Sequence, residues 1–395
     1  MSVSGLHSLS ATKFPVGLQS HVEDLLRTIK NNSTEVCRIA ICGQEGWGKT
    51  TLAKAVYNQI HGRFTAKSFI EDSGQVSKMR GDLRLQEKLL SDLLKTKVEI
   101  DSDEMRRNMI WERLAGKRVL IVLDDVPGFN APLVGECRNW FEGGSVIIIT
   151  TRHENLQRVY QADSVFQVKL MNANESLELL SWHAFREAKP KEEFNDLAKT
   201  VVDYCRGLPL TLEVIGSYLY ERTEDEWISV LSKLEKIRQH DVEQRLKISF
   251  DSLPNEMEKD LFLHVCSSFL GKDRAHATKI LNGCAIDADS GIRVLIERSL
   301  IQVNKKNKLG MHSLLQEMGR EIINQNSGEE LGENSQLLFD MDEECALSEK
   351  TVRTSFIYGF ETSFGSGCFL MCNIFVFLRS FHLREIISWN LILLS

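Results

Sequence analysis

The chain has 395 residues, room for two or three domains at about 150 each, and its 43% hydrophobic and 26% charged content is ordinary for globular protein. A net charge of −7, from 48 basic and 55 acidic residues, gives no general pull toward nucleic acid or an anionic membrane. No apolar run reaches the roughly 18 residues of a membrane span, and the polar opening MSVSGLHSLSATKF does not read as a secretory leader. The nine cysteines form no C-x-x-C pair and no metal-like spacing, which predicts buried free thiols in a reducing compartment.

In chain order, the Ser-rich residues 1–13 read as disordered. Phe14-Pro15-Val16-Gly17-Leu18 then leads into a helical pattern of Val22, Leu25, Leu26 and Ile29. The apolar run from Val36 to Cys42 is a strand, and it meets Gly43. Gly43, Gly48, Lys49 and Thr50 fit G-x-x-x-x-G-K-[ST] without a gap, and Leu52, Ala53, Val56 and Tyr57 continue as a helix. Gly43, Gly46 and Gly48 let the backbone turn its N–H groups inward as an anion-binding nest. The helix start adds its free N–H groups and positive dipole end to the same phosphate. Lys49 can reach the β/γ-phosphates and the Thr50 hydroxyl can hold Mg²⁺. A nucleoside phosphate is the ligand this pattern predicts.

Ser68-Phe69-Ile70 is a short strand, followed by amphipathic helices over the leucines from Leu83 to Leu94 and over Asp103–Ala115. Val119–Leu123 is apolar throughout, as a strand buried on both faces of a parallel sheet must be. Asp124 and Asp125 sit at its C-terminal end, where doubly wound sheets bind ligands. One carboxylate there suits Mg²⁺, and the other could orient or deprotonate a water. Val146–Ile149 repeats the device and ends in Thr150, Thr151 and Arg152, whose planar fork matches phosphate oxygens. Phe166–Val168 completes five parallel strands with helical crossovers, an α/β nucleotide-binding domain.

Helices dominate from about residue 171. Asn172–Arg186, Glu192–Arg206, a run from Pro209 to Tyr220 and Asp225–Ile237 make a helical subdomain. Val242–Leu253 and Asn255–Leu270 open a third unit, in which two strands, Leu300–Val303 and Lys308–Met311, flank a basic turn. Helices followed by a hairpin suit a winged helix. Residues 313–323 read as its last helix, with Ser313 as N-cap and Gln316 completing a capping box. The aromatic, charge-poor stretch 351–395 fits none of these units.

GQEGWGKTT, LIVLDDV, IIITTR, GLPL and MHS, in this order, resemble the NB-ARC module of plant intracellular immune receptors, and FPVGLQSHVEDLL and VLIERSLI resemble the TIR-type receptors in particular. The resemblance spans about 14–325. It implies a P-loop domain over 14–170, a helical subdomain over 171–240 and a winged helix over 241–325, with 326–395 an atypical tail. It further implies an ADP-bound resting state, ATP-bound activation, slow turnover, oligomerisation, and other receptors or signalling proteins as partners in the cytoplasm or nucleus, with neither nucleic acid nor a membrane span. Carried over by residue, Lys49, Thr50 and Thr51 hold phosphate, Thr50 and Asp124 hold Mg²⁺, Asp125 serves hydrolysis and Arg152 senses the γ-phosphate. Pro209 packs near the adenine with Val16-Gly17 on its other side, and His312 touches the ADP β-phosphate. Glu45 stands where these receptors usually have Gly, and Ser313 where they have Asp. No TIR domain precedes residue 14 and no leucine-rich repeat follows, which suggests a truncated receptor. The same motifs allow two other readings: a P-loop ATPase whose turnover is itself the activity, and a winged-helix DNA binder, which the acidic balance opposes.

Overall fold

A computed structural model describes residues 9, 11–32, 34–126, 141–152, 162–237, 241–282 and 287–326; within 75–82, and at 103, 106, 107 and 111, only the backbone is described. The chain divides into two units, at Ile248 and Ser249. The expectations for residues 1–8, 10 and 327–395 fall outside the described residues.

In the first unit five strands form one parallel sheet: β1 (Cys37–Cys42), β2 (Ala66–Ile70), β3 (Val119–Leu123), β4 (Val146–Thr151) and β5 (Ser164–Gln167), in the order β2-β3-β4-β1-β5. Strict alternation divides the apolar runs between two cores. Leu120, Val122, Val146 and Ile148 join Ile39 and Ile41 against helices α1 (Leu18–Asn31) and α2 (Lys49–Ile60), through Leu25, Leu52, Ala53 and Val56. Val119, Ile121, Leu123, Ile147 and Ile149 face the other way, onto Leu85, Leu89, Leu90 and Leu93 of α3 (Ser73–Leu94) and Leu114 of α4 (Asp103–Leu114). A sheet covered on both faces explains why β3 and the Val146–Ile149 run of β4 carry no polar side chain. Within the stretch expected to be disordered, Leu9 packs on the α2 side, where its N–H donates to Asn58 Oδ1 at 2.7 Å and its carbonyl accepts from Asn58 Nδ2 at 2.8 Å.

The rest of this unit is helical: α5 (Ala173–Phe185), α6 (Asn195–Cys205), α7 (Pro209–Leu219) and α8 (Glu224–Glu235). Their shared core centres on Trp227, fully buried, with its ring stacked on Phe185 at 5.4 Å. Capping boxes at Asn172/Glu175 and Thr223/Glu226 start α5 and α8.

α9 (Val242–Asp251) straddles the division. The second unit contains α10 (Glu256–His264), a π-helical turn (Val265–Phe269), α11 (Arg274–Asn282), α12 (Ala288–Glu297), the antiparallel strands β6 (Gln302–Val303) and β7 (Leu309–Gly310), and α13 (Ser313–Asn326). Gly291 lets α12 approach Leu261 of α10 and Gly319 lets α13 approach Cys266; a Cβ at either glycine would stand 2.4 or 2.8 Å from the side chain opposite. The segment 271–274 pairs with β7, Gly271 N–H donating to Leu309 O at 2.8 Å. Asn304 Oδ1 accepts from the N–H groups of Lys306 and Lys308, so the basic turn closes locally. A helix cluster followed by such a hairpin is the winged-helix arrangement. Cys37, Cys42, Cys205 and Cys266 are buried free thiols.

Candidate functional site

Parallel strands end at one rim, and three of them deliver polar groups there. β1 runs into the loop 43–48, whose Gly46 (φ 74°) and Gly48 (φ 90°) occupy backbone space that side chains resist. Gly48 is the N-cap of α2 and offers no capping side chain, so the first-turn N–H groups of Lys49, Thr50 and Thr51 face the loop without a side-chain acceptor. Lys49 is buried at 7% exposure and its Nζ donates to Gln44 O at 2.8 Å. Burial lowers its pKa, and the opposing charges of Asp125, Asp124 and Glu45 work against that shift. Thr51 is half-buried in the same turn.

β3 brings Asp124, 2% exposed, beneath that turn. Thr50 Oγ1 donates to its two carboxylate oxygens at 2.9 and 3.0 Å, and Thr150 Oγ1, from β4, donates to Oδ1 at 2.6 Å. Burial raises the Asp124 pKa, and the hydroxyl bonds from Thr150 and Thr50 oppose the rise. Thr150 Oγ1 also accepts the Asp125 N–H at 2.8 Å, which ties both carboxylate-bearing residues to β4. Asp125 sits at φ 52°, turned out of the strand, and its two oxygens accept from Arg152 Nε and Nη2 at 3.3 Å each. Arg152 Nη2 also contacts the Glu45 carboxylate in the loop. Behind them, Ser73 N and Oγ donate to Asp124 O, and Gly74 N donates to Asp125 O.

A third side of the rim comes from farther along the chain. Phe14 stacks on Trp182 at 5.2 Å and meets the His183 ring edge-on at 4.9 Å. Burial pushes the His183 pKa down to about 3, so the ring stays neutral, and its Nδ1 lies 3.0 Å from Ser217 Oγ. Val16 and Gly17 follow this anchor; Gly17 (φ 69°) caps α1, and a Cβ there would meet Glu175 at 3.2 Å. Gly207 O accepts from Met171 N–H at 3.0 Å, and Pro209 opens α7 two residues on. A Cβ on Gly48 would stand 4.0 Å from Pro209 Cγ, so the proline borders the loop.

Of the residues singled out from the sequence, Gly43, Gly46, Gly48, Lys49, Thr50, Thr51, Asp124, Asp125, Arg152 and Pro209 come together along this rim; Val16 and Gly17 join it through Met171 and Glu175. His312 belongs to the second unit. There the N-cap of α13 is His312, not Ser313: its Nδ1 accepts the Leu314 N–H at 3.2 Å and its carbonyl takes the first helical bond, from Gln316 N. Three contributors have no role that the sequence motifs indicate: Thr150, Ser73 and the Gln44 carbonyl.

The donor set suits a metal–phosphate ligand. Among the described residues no cluster of three or more His, Cys, Asp or Glu side chains could hold a metal alone. Mg²⁺ does not require one, since it is held by one or two protein oxygens together with phosphate and water, as a Thr50–Asp124 pair would provide.

The NB-ARC domain family matches residues 18–189, and the family described as the Disease resistance protein Roq1-like, winged-helix domain matches 255–327. This is therefore an NB-ARC nucleotide-binding fold with a winged-helix domain, as the motifs implied. The relatives make the class narrower. Disease resistance protein RUN1 of Vitis rotundifolia is 37% identical over 336 residues, covering 84% of this chain and 25% of that protein. TMV resistance protein N of Nicotiana glutinosa is 34% identical over 353 residues, covering 87% of this chain and 30% of that protein. The chain carries the NB-ARC and winged-helix domains of plant disease resistance proteins, and it spans a quarter to under a third of the length of these two relatives.

Proposed function

We propose that the chain is a nucleotide-operated switch in plant immune signalling, resting with ADP and activated with ATP. The observation that carries this reading is the Thr50–Asp124–Thr150 hydroxyl–carboxylate cluster beside Lys49 at the N-terminus of α2, in which Asp124 and Thr150 are buried and Thr50 half-buried. It supplies hard oxygens for Mg²⁺ and a cation for phosphate at one point of the sheet rim. In this reading the N–H groups of the loop and of Lys49, Thr50 and Thr51 hold the phosphates. Arg152 answers to the γ-phosphate and Asp125 serves hydrolysis. Pro209 with Val16-Gly17 borders the adenine, and His312 is the residue that the motif resemblance assigns to the ADP β-phosphate. When bound, Mg²⁺ would neutralise charge between phosphate oxygens.

The domain limits 14–170, 171–240 and 241–325 belong to the same reading, as do a cytoplasmic or nuclear site of action, oligomerisation, and receptor or signalling partners. Among the described residues no helix is long and apolar enough to cross a membrane. Mass spectrometry of nucleotide released from heat-denatured, well-folded protein is the direct test: ADP is expected, and an extract without adenine nucleotide would remove the reading. Steady-state turnover separates a switch from a working ATPase, with a rate far below about 10 s⁻¹ expected.

A further inference from the structure

Glu45 is an acidic residue inside a loop built to receive anions, and it makes a specific contact. Its side chain is 14% exposed and reaches Arg152 Nη2, while Arg152 gives Nε and the same Nη2 to Asp125. The guanidinium is thus gripped from two sides, by the end of β3 and by the phosphate loop. Loop and arginine stand on neighbouring strands, since β1 pairs with β4 in register from Cys37↔Val146 to Cys42↔Thr151. The Glu45 contact is accordingly short-range and part of the site, although 107 positions separate the two residues in the chain.

We propose that Glu45 sets the nucleotide preference of this chain by holding Arg152 back from a third phosphate, which favours diphosphate over triphosphate. The inference rests on the nucleotide reading above. A diphosphate leaves the Glu45–Arg152 pair in place. A triphosphate needs Arg152 donors for its γ-oxygens, so the pair must open, and the released carboxylate then faces a ligand carrying one more negative charge. Both effects fall on the triphosphate. Opening a partly shielded pair of this kind, which is worth more than an exposed one, sets a scale of about tenfold in affinity. Arg152 and Asp125 are each more than a third exposed, which keeps their own pair weak, whereas Glu45 is better shielded.

The test uses the full chain and calorimetric affinities for ADP and for a non-hydrolysable ATP analogue, both with Mg²⁺. Glu45→Gln keeps the side-chain shape, and Glu45→Ala serves as the second variant; melting temperatures check that each is folded. Expected is an analogue affinity that rises about tenfold relative to ADP in both variants. In an Arg152→Ala background the same change should move the ratio by less than about threefold, because the held partner is gone. An unchanged ratio, or an equal change for both nucleotides, would overturn the proposal. A gain that persists in full without Arg152 would overturn it too, leaving plain repulsion. Wild-type protein that binds ADP while these ratios fail keeps the nucleotide reading and discards only the role of Glu45; wild type that binds neither nucleotide discards both.

Discussion

Arg38 lies in β1 with 2% of its side chain exposed, and its one anionic partner among the described residues is Asp163, 28% exposed. Arg38 N, Nε and Nη2 donate to the Asp163 carboxylate at 2.9, 3.4 and 3.1 Å, while Asp163 N donates to Arg38 O. Asp163→Ala removes all three side-chain acceptor contacts at once. At this separation and an effective dielectric of about 20, the gross attraction is about 5 kcal/mol. Among the described residues Nη1 has no hydrogen-bond partner, so nothing there offsets the loss. Stripping one member of a buried pair costs about 3–5 kcal/mol, and the partial exposure of Asp163 places this case near about 3. For a domain of this size that is about 6–12 °C in melting temperature. Calorimetry supplies the total, and native-state hydrogen exchange of the β1 and β5 amides should locate the loss at the β1–β5 edge. Adding Arg38→Met should recover most of it, because an apolar pair of similar volume is close to neutral. A loss below about 1 kcal/mol, or no recovery in the double variant, would refute the reasoning.

Three further outcomes are expected. Lys49→Arg should weaken ADP binding by at least about tenfold despite the retained charge, since a compact ammonium fits beside Gln44 O where a broad guanidinium does not; unchanged calorimetric affinity would refute this. Gly207→Ala places a Cβ 2.3 Å from Met171 O at φ 69°, so it should cost about 3 kcal/mol and displace Pro209, read as a lower melting temperature together with weaker ADP binding. Partial desolvation of its carboxyl, reinforced by the Asp124, Glu71 and Asp125 charges, pushes Asp72 up to about 6 from its ordinary 3.8, although the residue as a whole is exposed. The folded state therefore disfavours ionised Asp72, and stability falls as pH rises from about 4 through about 6. Asp72→Asn should stabilise slightly above pH 6 and do nothing below pH 4, the gain being small because Asp72 is exposed and solvent screens its charge; a constant difference across denaturation curves from pH 4 to 7 would contradict it.

The sheet was legible because burial on both faces leaves an unambiguous mark: Val119–Leu123 and Val146–Ile149 have no polar residue to confuse them. The phosphate loop was legible for a related reason, since close backbone approach to a ligand needs glycines at fixed spacing. Other features depend on contacts distant in sequence. Thr150 looked like one of two hydroxyls at a strand end, and only the β3–β4 pairing shows that it binds Asp124. α3 begins at Ser73, well before the leucines that announced it, because its first turn is fixed by bonds to Asp124 and Asp125 carbonyls and not by apolar periodicity alone. Ser313 satisfied the local rule for an N-cap, yet a histidine ring nitrogen one residue earlier took the Leu314 N–H instead. The charge pair between Glu45 and Arg152 has no local signature at all.

α3 runs for 22 residues, about 33 Å, and its first turn hangs on the backbone carbonyls of the two aspartates at the rim. Such an attachment makes it a pointer with a very short inner arm. A rotation of about 5° at that hinge sweeps the far end through about 3 Å, the width of a side-chain contact. The outer turns carry Leu85, Leu89, Leu90 and Leu93 against the sheet, so movement of this size cannot be absorbed without repacking one face of the domain.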